Sequence, residues 1–79
     1  MDFKIEKLTD FGTALAMLKK GVPMARSGWN GKGLCVKSQF PDEHSKMSLP
    51  YLYIEYPNGD RCPWLASQTD LMSEDWYMV

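Results

Sequence analysis

Apolar residues at Phe11, Ala14, Leu15 and Leu18 recur at the spacing that lines one face of a helix. Thr9 or Asp10 just before them offers a side-chain oxygen to the first free N–H groups. Lys19 and Lys20 suit the negative end of the helix dipole, and Gly21 suits a left-handed terminal turn. A helix from this cap to about Lys20 is therefore expected. Elsewhere several short stretches read as strands. Phe3 and Ile5 alternate with Lys4 and Glu6, so Met1–Leu8 reads as a short first strand. Pro23–Arg26 reads as a strand after the helix, and Leu34 and Val36, alternating with Cys35 and Lys37, as another. Tyr51–Tyr56 is the strongest strand signal, with Leu52, Ile54 and Tyr56 on one face. Pro57-Asn58-Gly59-Asp60 then turns the chain, because Asn and Gly tolerate positive φ. Arg61–Trp64 returns as the partner strand, and Pro63 confines it to an edge or a strand end. The polar stretch Pro41–Pro50 reads as a loop, Ser67–Glu74 as a short helix or turns capped by Ser67, and Trp76–Val79 as a last short strand. One helix followed by a run of strands predicts an α+β fold, with an N-terminal helix packed on a small antiparallel sheet.

A chain of 79 residues is expected to be a single domain spanning 1–79. So small a domain buries a modest share of its surface and often gains from oligomerisation. Met1–Asp10 is charged and has no apolar core, which suggests a cytoplasmic setting with Cys35 and Cys62 as free thiols. Two cysteines and the single His44 do not make a structural zinc site. The net charge is −1, with 9 basic and 10 acidic side chains interspersed. No basic stripe suggests duplex nucleic acid, and no run reaches the roughly 18 apolar residues of a membrane span. No cofactor is called for.

Two clusters carry the candidate chemistry. In Gly28–Gly33 three glycines let the backbone bend and approach a ligand closely. Successive N–H groups there form a nest for an anion, with Lys32 adding charge, or simply a tight hairpin. The P-loop spacing is absent, because Leu34 follows Gly33. Trp29 in this turn stacks on a base, packs into another subunit, or folds back over the core. In the second cluster, Ser67, Gln68, Thr69 and Asp70 place hydroxyls, an amide and a carboxylate beside Trp64. Those groups suit ribose and a base edge, but Ser67 or Thr69 equally caps a helix. Asp70, Glu74 and Asp75 read as a solvated helix face, and Trp76 and Tyr77 as residues that close the core or an interface. No nucleophile–base–orienter set assembles, so catalysis is not expected.

The stretch ARSGWNGKG after a short amphipathic helix, together with PWLASQTDLMSEDW, resembles a family of small phage and prophage domains. Its members are Thoeris anti-defence proteins of the second type. The resemblance runs from Phe11 to Trp76, apart from Pro41–Pro50. It implies a sponge in the cytoplasm of the infected bacterium. Such a protein binds the glycocyclic ADP-ribose messenger made from NAD, does not cleave it, and assembles as a homotetramer with pockets between subunits. On that reading Trp29 and Trp64 face the base, and Arg26, Asn30, Gly31 and Lys32 face the phosphates. Ser67, Gln68, Thr69 and Asp70 meet ribose hydroxyls. A phage module that binds a host protein through its tryptophans, or a small nucleotide hydrolase, are the alternatives.

Overall fold

The computed structural model describes residues 8–29 and 33–79. Helix α1 spans Phe11–Lys19, one residue shorter than expected. Asp10 is its N-cap, and its Oδ1 accepts a hydrogen bond from Thr13 N at 2.9 Å. At the other end Gly21 N donates to Leu18 O and Val22 N to Met17 O. These two bonds close the helix as a Schellman turn, which needs the positive φ of 90° at Gly21.

Strands β1 (Met24–Arg26), β2 (Cys35–Gln39), β3 (Tyr51–Glu55) and β4 (Arg61–Pro63) follow, then helix α2 (Gln68–Met72) and strand β5 (Trp76–Met78). All pairs are antiparallel, in the order β4-β3-β2-β1-β5. β2 runs two residues further than predicted because it stays paired with β3 as far as Gln39↔Tyr51. The turn after β3 holds Gly59 at φ 94°, and β4 lies at the sheet edge, where the missing N–H of Pro63 costs no ladder bond. Pro41–Pro50 forms neither helix nor strand. The first strand expected at Met1–Leu8 falls almost wholly outside the described residues. Just beyond it, Thr9 forms an isolated bridge with Trp76, N to O at 2.8 Å and O to N at 3.0 Å.

Register decides which face meets the helix, because side chains opposite each other in antiparallel strands share a face. Met24, Val36 and Ile54 are in line, and so are Arg26 and Trp76. Met24, Val36 and Trp76 form the core with Ala14 and Leu18 of α1. Full burial of each large side chain contributes about 1.5–3 kcal/mol. The opposite face carries Tyr53, Lys37, Glu55 and Arg61, where Glu55 bridges Lys37 at 3.0 Å and Arg61 at 2.8 Å.

Candidate functional site

The site grows out of the core around Trp76, which is 0% exposed. Three aromatic rings surround it. Trp29 meets it edge-on with centroids 5.4 Å apart, Trp64 edge-on at 5.9 Å, and Phe11 tilted at 5.4 Å. Edge-to-face packing sets the positive rim of one ring against the negative face of the next. Trp29 and Trp64 are half-buried, so they form the outer layer of the core. The indole of Trp29 folds back over the core because it finds a polar partner there: Nε1 donates to Asp70 Oδ1 at 3.3 Å.

Asp70 is the junction of the site. It is 8% exposed. Ser67 and Asp70 form a capping box at the start of α2, in which Asp70 N donates to Ser67 Oγ and Ser67 N donates to Asp70 Oδ2, both at 3.0 Å. Asp70 Oδ1 also accepts from Arg26 Nη1 at 2.8 Å, and its backbone carbonyl accepts from Trp76 Nε1 at 3.0 Å. Arg26 turns its Nε to Asp75 Oδ1 at 2.9 Å. Burial pushes the carboxyls of Asp70 and Asp75 up. The donors outweigh it and hold both below the ordinary carboxylate value: Ser67, Arg26 and Trp29 for Asp70, and Arg26 and Gly28 for Asp75. The expectation that Asp70 and Asp75 stand on a solvated helix face is therefore corrected, because both lie against the one guanidinium that β1 turns toward the helix side. Glu74 is exposed, as expected.

The remaining candidates separate. Ser67, Gln68 and Thr69 are exposed at the start of α2. Asn30, Gly31 and Lys32 lie outside the described residues. Trp64 lines a groove of about 640 Å³ with Leu52, Tyr51 and Gln39 of the sheet and Lys46 and Met47 of the 41–50 loop. That volume is in the range of about 300–1,000 Å³ typical of small-molecule sites. Trp29 is not among its lining residues.

A family model described as "Thoeris anti-defense 2-like domain" matches residues 9–79. The chain belongs to the Thoeris anti-defense 2-like family. A protein of Bacillus phage SP01 named "Thoeris anti-defense 2" is 32% identical, over 87% of this chain and 92% of its own length. In this Thoeris anti-defense 2-like domain, sequence reasoning missed Asp75 and every groove residue other than Trp64, among them Tyr51 of β3 and Lys46 and Met47 of the loop. The one available signal was Trp64 at the end of the β3–β4 hairpin, which places its ring beside whatever crosses β3. Among the described residues no group of three or more His, Cys, Asp or Glu side chains is placed to hold a metal ion, and no helix is long and apolar enough to cross a membrane. Cys35 is buried and Cys62 exposed, and they are not joined.

Proposed function

We propose that this protein counters Thoeris immunity as a sponge, holding a cyclic ADP-ribose-type messenger without cleaving it. The observation that carries the reading is the groove beside Trp64, in a chain of this family. Trp64 and Tyr51 offer flat faces to a base, and base–aromatic stacking contributes about 1–3 kcal/mol per base. Lys46 is the cation that lines the groove. Arg26 lies between two carboxylates, so the triad carries net negative charge and offers a diphosphate little attraction. The phosphates accordingly lie toward Lys46. Asn30, Gly31 and Lys32, outside the described residues, are the further phosphate contacts of this reading. Gln68 and Thr69 meet hydroxyls from the start of α2. A neighbouring copy of the chain closes the site in a homotetramer.

Calorimetry with glycocyclic ADP-ribose, followed by denaturation and mass analysis of the released ligand, tests the proposal. Tight binding and recovery of intact ligand are expected. Absence of heat sinks the sponge, and recovery of a cleaved product replaces it with a hydrolase. Native mass spectra with and without ligand report the assembly and the number of sites.

A further inference from the structure

We propose that Asp75 is a positioning residue that fixes Trp29, which lies outside the Trp64 groove and on the family resemblance faces the base, by gripping the backbone and side chains just ahead of it. The inference rests on the sponge reading for its binding consequence but not for its geometry. Asp75 Oδ1 accepts from Arg26 Nε at 2.9 Å, and Oδ2 accepts from Gly28 N at 2.9 Å and from Ser27 Oγ at 3.5 Å. Its backbone carbonyl accepts from Ser27 N at 3.0 Å. All three residues before Trp29 are thus tied to one aspartate. Trp29 N in turn donates to Arg26 O at 3.2 Å, so the tie continues to the tryptophan backbone.

The ring is held through the same chain of bonds. Arg26, oriented by Asp75 on its Nε side, reaches Asp70 Oδ1 with Nη1 at 2.8 Å. That oxygen also accepts from Trp29 Nε1 at 3.3 Å. Releasing Asp75 frees Arg26 to turn away from the oxygen it shares with the indole, and frees the Gly28 N–H that anchors the backbone before Trp29. The approach at Gly28 is close: a Cβ there would stand 2.8 Å from Asp75 Oδ2. Glycine lets the carboxylate reach the backbone N–H. Both oxygens of Asp75 accept from protein donors, and its role is to act through Arg26 and Gly28.

The test compares Asp75→Ala and Asp75→Asn with Trp29→Phe. The first readout needs no ligand. The edge-on Trp29–Trp76 pair gives an exciton signal in circular dichroism, and Trp29→Phe defines its size. Asp75→Ala is expected to remove most of that signal, and Asp75→Asn part of it, because the amide oxygen still accepts one donor. The second readout is affinity for glycocyclic ADP-ribose with the assembly checked by native mass spectrometry. At least about a tenfold loss with the assembly intact is expected for Asp75→Ala. If affinity falls while the indole signal stays at the wild-type value, Asp75 touches the ligand and the proposal is overturned. It is equally overturned if neither changes. Where Asp75→Ala does not fold, Asp75→Asn decides by the same two readouts. If the wild type binds no ligand, the sponge reading fails, and the indole signal alone decides whether Asp75 positions Trp29.

Discussion

Replacing Asp70 by alanine should destabilise the fold by about 2.5–4.5 kcal/mol. Three losses add up. The carboxylate half of the capping box disappears, which costs about 0.5–1 kcal/mol. The guanidinium of Arg26 loses a 2.8 Å charge-assisted bond in a pair whose side chains are only 13% and 11% exposed, worth about 1.5–3 kcal/mol. Asp75 still partners Arg26, which keeps this below the roughly 3–5 kcal/mol of a buried charge stranded outright. The Trp29 N–H loses its acceptor, but the ring is half-buried and water replaces much of that bond, leaving about 0.5 kcal/mol. A domain of this size shifts its melting temperature by about 4–8 °C per kcal/mol, so a fall of about 10–35 °C follows. Thermal unfolding by far-UV circular dichroism, at matched protein concentration because assembly adds to apparent stability, measures it. Asp70→Asn keeps one acceptor oxygen and should lose about half as much. Glu74→Ala, at an exposed neighbour, is the control. If Asp70→Ala lies within about 0.5 kcal/mol of the wild type, the triad behaves as a solvated surface pair and the reasoning is refuted.

Gly33 and Gly59 both have positive φ, 85° and 94°, but a Cβ at Gly33 would stand 3.0 Å from Pro57 Cγ, whereas one at Gly59 meets nothing within 4 Å. Urea titration should therefore show Gly33→Ala costing more than the roughly 1–2 kcal/mol of left-handed strain expected at Gly59→Ala. Trp76→Phe keeps a ring in the core but removes the Nε1 bond to Asp70 O, and should cost about 2–3 kcal/mol in the same assay. Asp70 and Asp75 have folded-state pKa values below the ordinary 3.8, so the unfolded chain takes up protons first as pH falls. Their contribution is full above about pH 5 and is lost progressively below about pH 4; urea midpoints from pH 6 to 3 should fall in that window, with a shallower slope in the Asp70→Asn, Asp75→Asn double variant. Lys46→Ala should weaken binding of glycocyclic ADP-ribose and reduce its salt dependence without lowering the melting temperature, because Lys46 is exposed and pairs with no carboxylate among the described residues.

Local signals in the sequence were enough for α1, whose cap, apolar stripe and terminal glycine lie within a dozen residues, and for the β3–β4 hairpin, whose turn chemistry sits between its strands. What escaped were contacts that span the chain. β1 pairs with β5 through Met24↔Met78, and no local pattern says which strand will close the sheet. The same pairing brings Arg26 beside Asp70 and Asp75, 44 and 49 positions away, so the acidic residues read as solvated when taken in sequence. The two tryptophan clusters were visible as composition. Trp76 was read as closing the core or an interface and is fully buried; that both clusters pack on it was not legible, because the contacts span the chain. The wall that the 41–50 loop gives the Trp64 groove carried no pattern at all, because a loop chain follows no period.

This arrangement leaves no separate scaffold behind the site. Trp76 packs on Phe11 of α1 and on both Trp29 and Trp64, so the residues proposed to face a ligand are also the outer layer of the only core cluster among the described residues. A truncation at Trp29 or Trp64 then removes a binding surface and core packing together, and loss of binding alone cannot assign either ring to the site. Linkage separates the two roles. A ligand that binds only the folded form raises its stability by RT ln(1 + [L]/Kd), about 2.7 kcal/mol at a hundredfold excess over Kd. A ring that only packs lowers the melting temperature equally with and without ligand. A ring that also touches the ligand shrinks the ligand-induced rise itself, and that difference of differences is independent of how much the core has lost.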